Sequence, residues 1–261
     1  MKRINIEELH QRILNIAEVF DKICTEHGIP YYMLGGTMLG AIRHKGFIPW
    51  DDDMDFGVPF EYYQKLTGIL ETNLPEWMRC CTCTNCKAVF YPFMKIEDTE
   101  TCIDDPRIIL PIEEKLGINI DVFPLAACDK NSKDATRARK LLRLQTLIFV
   151  DSPDEGKMKT TIKKVLRLIT PFKKQYLPMK MMSMLSSMKT GNDIANVFGR
   201  WGIKESVDKN WYGTNVRYDF EHLKLCGFKD YDNYLKQMYG DYMQLPPEEQ
   251  RIAHVDNIYL R

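Results

Sequence analysis

The stretch GFIPWDDDMDFGVP places four aspartates within five positions, at Asp51, Asp52, Asp53 and Asp55. Two carboxylates about 4 Å apart repel each other by roughly 4 kcal/mol at an effective dielectric constant of about 20. Aromatic and aliphatic residues flank the aspartates on both sides, which an exposed acidic turn does not explain. A fold that contains this stretch must therefore bring positive charge in front of the carboxylates.

The end of this stretch alternates charged and apolar residues, as a half-buried strand does. If the extended chain starts by residue 51, Asp51, Asp53 and Asp55 share one face of that strand. Hard oxygen ligands suit Mg²⁺ or Mn²⁺, so the pattern predicts a divalent metal site. A calcium loop of the EF-hand type is excluded, because Phe56 and Tyr62 would stand where that loop requires Gly and Glu.

A glycine pair precedes the aspartates in the segment LGGTMLGAIRH, directly after the short apolar run YYML at 31–34. Glycine lets the backbone approach a ligand closely. The helix predicted over 37–44 would present free N–H groups and its positive dipole end to a phosphate. We expect a phosphate site at one strand end beside a metal site on the neighbouring strand, and a tight turn without a ligand is the alternative.

A further acid, Asp121, is isolated in the apolar segment GINIDVFPL, which predicts a strand over 117–125. A buried aspartate without a partner is costly, so we expect Asp121 to be the third carboxylate of the site. The structural alternative is an ion pair with Lys95 or Arg43.

The order of the predicted elements indicates the fold class. An amphipathic helix over 5–28, with Asn5 as its N-cap and Glu8 at the capping-box position, begins the chain. A helix over 59–72 and a strand over 88–98 complete its first half. Residues 1–130 are predicted to form an α+β core with a mixed central sheet and flanking helices. Residues 131–261 are predicted to form an additional, mainly helical C-terminal lobe that packs with the core as one unit.

The segment from Lys157 to Asn192 contains nine lysines and arginines and no acidic residue. Its first part has apolar residues at helical spacing and a basic face. One interpretation is a solvated helical lobe. The other is a peripheral contact of 157–190 with an anionic membrane surface.

Composition limits the possible partners and the location. The chain has 36 basic and 36 acidic residues, so its net charge gives no reason to expect nucleic acid as a partner. It has no run of 18 apolar residues, and its first residues lack the apolar core of a signal peptide. We therefore expect a cytoplasmic protein, with a peripheral position at the inner face of the plasma membrane under the second interpretation above.

Four of the eight cysteines cluster in CCTCTNC, at Cys80, Cys81, Cys83 and Cys86. A zinc site normally needs a second ligand pair at a suitable spacing, which the pattern does not identify. Free thiols in a strand-rich segment, as expected in a reducing compartment, are the alternative.

The glycine pair and the aspartates together, GGTMLGAIRHKGFIPWDDDMDFGVP, closely resemble the signature of the LicD family. That family includes bacterial phosphorylcholine transferases and is related to fukutin and fukutin-related protein. INIDVFPL resembles its later aspartate motif, and YDNYLKQMYGDYMQLPPEEQR at 231–251 resembles its C-terminal motif. The middle segment, 126–215, matches only in its basic, helical character.

The resemblance implies a nucleotidyltransferase-like fold and a metal-dependent phosphotransferase. Such an enzyme transfers a substituted phosphate from CDP-choline or a related CDP-linked donor to a sugar hydroxyl. The acceptor is a cell-surface glycan or its lipid-linked precursor. Asp53 and Asp55 match the metal-binding pair for Mg²⁺ or Mn²⁺, Asp51 an accompanying acid, and Asp121 the third metal-binding carboxylate.

The residues between the glycines and the aspartates also have counterparts in the family. Gly35, Gly36 and Thr37 match the loop that holds the donor phosphates, and Arg43, His44 and Lys45 match the basic stretch beside it. Asp121, Asp51 or the metal alone would activate the acceptor hydroxyl, and His44 is the alternative base. A helix cap is the other interpretation of His44, and solvated surface charge is the other interpretation of Arg43 and Lys45.

The C-terminal motif carries tyrosines whose rings would line a choline or sugar pocket or pack a helix. They are Tyr231, Tyr234, Tyr239 and Tyr242. Members of the family carry paired histidines near the C-terminus, where this chain has only His254.

Three other functions remain to be weighed. A sugar-nucleotide glycosyltransferase is disfavoured, because its metal motif follows a longer nucleotide-binding half than the 52 residues that precede Asp53 here. A small-molecule or sugar nucleotidyltransferase shares the fold and stays open as the main alternative. A non-catalytic binding protein is disfavoured, because it has no need of three metal-binding carboxylates.

Overall fold

A computed structural model describes residues 2–150, 156–169, 175–253 and 257–261. His254 and the middle of the basic segment, 170–174, lie outside these residues. None of the helices within this part of the chain combines the length and the apolar character needed to cross a membrane.

The described residues form seven α-helices. They are α1 Ile6–Glu26, α2 Gly35–Arg43, α3 Phe60–Asn73, α4 Lys133–Phe149, α5 Lys157–Ile169, α6 Tyr176–Leu185 and α7 Tyr231–Tyr239. The strands among them are β1 Tyr32–Met33, β2 Asp55–Pro59, β3 Met78–Cys81, β4 Met94–Asp98, β5 Thr101–Ile103, β6 Asn119–Cys128, β7 Asp193–Asn196, β8 Ser206–Asp208, β9 Arg217–Phe220, β10 Leu223–Cys226 and β11 Ile258–Leu260.

Strand β6 organises the main sheet. Its first half pairs with β2 in parallel and with β4 antiparallel, and its second half pairs antiparallel with β7. The strand order is β1-β2-β6-β4-β3. In addition, β7 pairs with β6, and β8 pairs with β7. The α+β fold with a mixed sheet and flanking helices is therefore confirmed. Strands β7 and β8 come from the second half of the chain, so that half extends the sheet as well as supplying helices.

Helix α1 illustrates how the sequence pattern produces the core. The Asn5 side chain accepts a hydrogen bond from the Glu8 N–H, which caps the helix as its sequence predicts. The apolar face of α1 packs on the sheet, where the ring of Phe20 lies 5.0 Å from those of Tyr31 and Phe56. All three side chains are buried, so this aromatic cluster joins the helix to β2.

Several predicted boundaries differ from the structure, among them the end of β6, which lies at Cys128 rather than at residue 125. Helix α2 begins at Gly35 rather than residue 37, so the glycine pair forms its first turn. Strand β2 begins at Asp55. Residues 48–51 form a turn, in which the Asp51 N–H donates to the Ile48 carbonyl at 2.8 Å, and the paired strand begins only after this turn. Strand β4 starts only at Met94, since the preceding aromatic residues pack against one another instead of forming a ladder.

A buried hydroxyl fixes the register between β4 and β6. The Tyr63 hydroxyl donates to the Val122 carbonyl at 2.9 Å and accepts from the Met94 N–H at 2.6 Å. Met94 and Val122 are register partners. Lys95 follows Met94 and Asp121 precedes Val122, so the two charged side chains face the other side of the sheet.

We expect Tyr63→Phe to lower the free energy of unfolding by about 1–3 kcal/mol, because it leaves the buried Met94 N–H without an acceptor. Urea denaturation measures this loss. Tyr62→Phe, one residue earlier on α3 and half-buried, is the matched control and should change stability by less than about 0.5 kcal/mol. Equal effects of the two substitutions would contradict this role of the hydroxyl.

Candidate active site

Three charged side chains form a row across neighbouring strands. Asp55 on β2 stands opposite Asp121 on β6, and Asp121 stands opposite Lys95 on β4. Residues opposite each other in a sheet point to the same face, so the three groups lie side by side. Lys95 Nζ donates to Asp121 Oδ1, which confirms the Lys95 pair that the sequence offered as an alternative for Asp121.

The other aspartates lie in the loop before β2. One carboxylate oxygen each of Asp51, Asp52 and Asp53 lie within 4.8 Å of one another. Ligand atoms this close together could hold one metal ion. Within the described part of the chain, no other group of three acidic, histidine or cysteine side chains has its ligand atoms within this distance. Asp55 and Asp121, which the sequence predicts as metal ligands, are not in this group, and Asp121 is held by Lys95. The loop is held from behind by His10, whose Nε2 donates to the Asp51 carbonyl at 2.7 Å.

Burial and mutual repulsion raise the pKa of these carboxyl groups. Burial, then the charges of Asp53 and Asp52, raise the pKa of Asp51 to about 7. Desolvation, then the charges of Asp52 and Asp121, raise the pKa of Asp53 to about 6, and solvent screens part of this effect because the Asp53 side chain is exposed. Burial, followed by the charges of Asp53 and Asp121, raises the pKa of Asp55 well above its usual value.

A carboxyl pKa that is raised in the folded state makes the stability of the fold decrease as the pH rises. Ionisation opposes folding, so these groups lower stability as the pH rises from about 4, their unfolded pKa, through the raised values. A bound divalent cation would remove this penalty by neutralising the carboxylates. Several hard oxygen donors in one place suit Mg²⁺ or Mn²⁺, so the residues present fit such an ion.

The glycine pair lies directly against the aspartates. A Cβ at Gly36 would lie 2.7 Å from Asp51 Oδ2, and a Cβ at Gly35 would lie 3.9 Å from Asp55 Oδ2. The Thr37 hydroxyl accepts a hydrogen bond from the Asp55 N–H at 2.8 Å. The N-terminal turn of α2 and the start of β2 therefore meet, as the spacing of the two motifs predicts.

The basic stretch at the other end of α2 has a different surrounding. Arg43 Nη1 donates to the Tyr242 carbonyl at 2.9 Å, and Arg43 Nε donates to His44 Nε2 at the same distance. Burial and then the charge of Arg43 lower the pKa of His44. The Nε2 lone pair of His44, which a general base would use, is thus engaged. Lys45 is exposed, and its carbonyl accepts a hydrogen bond from the Glu221 N–H.

The C-terminal tyrosines have separate roles. Tyr234 is buried, stacks on Phe228 with 3.8 Å between ring centroids, and its hydroxyl accepts from the Gly35 N–H at 2.8 Å. Tyr231 packs edge-on against Tyr218. Helix packing therefore accounts for these two.

Tyr239 and Tyr242 instead line a pocket of about 480 Å³. Aromatic, polar and apolar side chains surround it: Leu39, Arg43, Ile48, Trp50, Tyr239, Asp241, Tyr242, Gln244, Leu245, Pro246, Pro247 and Gln250. The Tyr239 hydroxyl also lies 3.6 Å from where a Cβ of Gly35 would stand. The pocket thus adjoins the carboxylates at Tyr239 and, through Trp50, at Asp51.

The loop 199–205, in the second half of the chain, also reaches this site. The sequence pattern did not predict that any of its residues belong to the site. Glu205 accepts hydrogen bonds from Asn196 Nδ2 and the Trp201 N–H, both at 2.7 Å, and burial raises its pKa to about 7. The positive charge of Arg200 favours ionised Asp53. The exposed ring of Trp201 lies 6.3 Å from that of Tyr239. Nothing in the sequence near this loop signals its proximity to the aspartates.

The clustered cysteines are free thiols. Cys81 donates to Glu97 Oε1 at 3.3 Å, inside the sheet. Among the residues that the structure describes, no three of the cluster's sulfur atoms approach closely enough to hold one ion.

Comparison with known proteins agrees with this geometry. The sequence profile of the LicD/FKTN/FKRP nucleotidyltransferase domain matches residues 28–104, which contain the glycine pair and all four clustered aspartates. Lipopolysaccharide cholinephosphotransferase LicD of Haemophilus influenzae is 29% identical over 274 aligned residues, which cover 100% of each chain. Ribitol 5-phosphate transferase FKRP of Homo sapiens is 50% identical over 34 residues, 13% of this chain and 7% of FKRP.

We expect Gly36→Ala to weaken Mn²⁺ binding about tenfold, because the new methyl group would displace the Asp51 carboxylate. Overpacking of this kind costs about 1–3 kcal/mol, and 1.4 kcal/mol is a factor of ten. Calorimetry with MnCl₂ measures the change. Gly68→Ala on α3, where a Cβ meets nothing within 4 Å, is the control and should bind Mn²⁺ normally. Unchanged binding by Gly36→Ala would contradict the close packing at Asp51.

Proposed function

We propose that the chain is a metal-dependent phosphotransferase of the LicD family, whose sequence profile matches residues 28–104. It moves phosphocholine, or a similar substituted phosphate, from a CDP-linked donor to a sugar hydroxyl of a glycan or its lipid-linked precursor. The observation that carries this proposal is the meeting of the α2 N-terminus with the carboxylates of Asp51 and Asp55. A phosphate-binding helix end beside a cation-binding cluster is what transfer from a diphosphate requires.

Asp53, Asp55 and Asp121 would hold one or two Mg²⁺ or Mn²⁺ ions. When bound, such an ion offsets charge on the donor diphosphate and on the leaving CMP. Asp55 gains rigidity for this role from its place at the start of β2 and from the Thr37 hydroxyl on its N–H. Asp121 is opposite it on the adjacent strand.

The first turn of α2 would bind the donor phosphates. The residues that match the family's phosphate loop, Gly35 to Thr37, form this turn, and two glycines keep side chains out of the way. The positive end of the helix dipole favours an anion there. Arg200, whose charge already acts on Asp53, would add a cation from the other side.

The acceptor sugar would occupy the pocket lined by Trp50 and Tyr239. Its mixture of aromatic faces and hydrogen-bonding groups suits a neutral sugar. Trp50, which lines the pocket, directly precedes Asp51 in the chain, so a sugar hydroxyl bound there would lie near the carboxylates. Of the two acids considered as the base, Asp121 is engaged by Lys95. Asp51 is therefore the better placed to accept the hydroxyl proton.

The transferred group is argued from the relatives. The LicD relative covers the whole chain and is a cholinephosphotransferase by name, whereas FKRP matches over 34 residues and is a ribitol 5-phosphate transferase. The match to FKRP is too short to distinguish the transferred group. Phosphocholine is therefore our first choice, and ribitol phosphate, glycerol phosphate and phosphoethanolamine are the substitutes to test.

We expect Asp55→Asn to reduce transfer from CDP-choline by about a hundredfold or more, because it removes charge from the centre of the site. The assay follows donor labelled on the cytidine-linked phosphate, with Mg²⁺ or Mn²⁺ and a glycan acceptor. Asp219→Asn, a carboxylate on β9 paired with exposed Lys224, is the matched control and should stay fully active.

The same label separates the proposal from a nucleotidyltransferase. In phosphotransfer the label leaves with CMP, and in nucleotidyl transfer it moves to the acceptor. Label on the acceptor would overturn the proposal in favour of that alternative. Metal-dependent turnover of another CDP-linked donor but not of CDP-choline would change only the transferred group.

We also propose that α5 touches an anionic membrane surface and thereby meets a lipid-linked acceptor. Met158, Ile162 and Val165 are exposed and spaced four and three residues apart, so they share one helix face. Exposed Leu144 and Leu147 on α4 add to the apolar surface near it. Exposed cations of both helices, among them Arg143, Lys140 and Lys159, complement anionic headgroups.

We expect the protein to sediment with vesicles that contain anionic lipid at low salt, and less so as salt is added. Ile162→Glu should weaken this binding about tenfold, since burial of such a side chain contributes about 1.5–3 kcal/mol. Ile109→Glu, at an isoleucine that is also exposed but lies outside α4 and α5, should bind like the wild type. Failure of the wild type to sediment would disprove the membrane contact and leave the transfer chemistry untouched.

A further inference from the structure

Lys95 occupies an unusual place for a lysine. Its side chain is 16% exposed, on a strand inside the sheet, and its ammonium nitrogen donates to Asp121 Oδ1 and, at 3.0 Å, to Asn119 Oδ1. Asn119 and Asp121 are two residues apart on β6 and therefore point to the same face. The strands thus aim the ammonium at the carboxylate row.

Two cations that share one carboxylate repel each other. Asp121 Oδ1 is the acceptor of the Lys95 ammonium, and Asp121 is also a proposed ligand of the divalent ion. A divalent ion that binds Asp121 brings two positive charges beside the ammonium, and this repulsion favours movement of the ammonium to another anion. A largely buried ammonium without an anionic partner is costly, so its displacement needs another anion nearby.

The donor diphosphate is such an anion. Asp55 lies between the first turn of α2, where the donor phosphates would bind, and Asp121, which Lys95 contacts. The lysine stem is flexible, and its ammonium can turn between acceptors by rotating about its own bonds. The phosphate therefore arrives within the region that this side chain faces.

We propose that Lys95 is a displaceable counter-charge that couples binding of the metal to binding of the donor diphosphate. In the free protein it holds Asp121, and in the complex it donates to a phosphate oxygen while the divalent ion takes Asp121. This inference rests on the proposed function, because it assumes the metal and the diphosphate at this site. It predicts that each of the two ligands binds more tightly when the other is present.

A purely structural ion pair makes the opposite prediction for a neutral substitution. If Lys95 only held the sheet together, its removal would disturb Asp121 and weaken both ligands. If it is a displaceable counter-charge, its removal frees Asp121 for the ion and deprives the diphosphate of a cation. Metal affinity and diphosphate affinity then change in opposite directions.

The experiment is calorimetry of Mn²⁺ alone, CDP alone, and CDP at saturating Mn²⁺, on wild type, Lys95→Met and Lys95→Arg. For Lys95→Met we expect about tenfold tighter Mn²⁺ binding alone, about tenfold weaker CDP binding at saturating Mn²⁺, and loss of most coupling, which typically amounts to about 5–150-fold. Lys95→Arg keeps the charge and should retain part of the coupling.

Lys115→Met is the matched control, because Lys115 is also buried and paired with an aspartate, Asp104, but lies outside the row. It should lower thermal stability as Lys95→Met does and leave both affinities unchanged. Equal or weaker Mn²⁺ binding by Lys95→Met, with normal binding by the wild type, would overturn the inference alone. Absence of Mn²⁺ and CDP binding by the wild type would overturn the proposed function and the inference with it.

Discussion

Repulsion between carboxylates on two parallel strands is the constraint on which this structure depends. Asp55 and Asp121 face each other across β2 and β6, and Asp53 lies just before the first of them. Such a group is stable only if the sheet holds it rigidly and cations face it. The buried core beneath β2 and β6 makes the sheet rigid. Lys95 supplies part of the positive charge that faces the carboxylates.

The rest of the molecule brings further groups to this point. Helix α2 directs its N-terminal turn at the carboxylates, and Tyr234 of α7 accepts a hydrogen bond from the first N–H of that turn. The loop at Arg200 and the pocket at Tyr239 come from the second half of the chain. The two halves therefore contribute to one site, which agrees with the length over which the LicD relative matches.

Features that depend on a local sequence pattern could be predicted. Features that depend on how distant strands pair could not. The N-cap of α1, the mixed α+β sheet and the meeting of Gly36 with the aspartates follow from spacing and residue type. The late start of β2 at Asp55 depends on a turn that ends at Asp51. The choice of Lys95 over Arg43 as the partner of Asp121 depends on strand register, which no local pattern specifies.

In the proposed mechanism, the start of β2 and the middle of the sheet form one site for the cation and the diphosphate. Anomalous diffraction from crystals grown with Mn²⁺ and CDP tests it most directly. The account predicts a manganese peak between Asp53 and Asp55, with Asp121 within reach and a phosphate at the first turn of α2. A peak confined to Asp51 and Asp52, with CDP bound elsewhere, would contradict it.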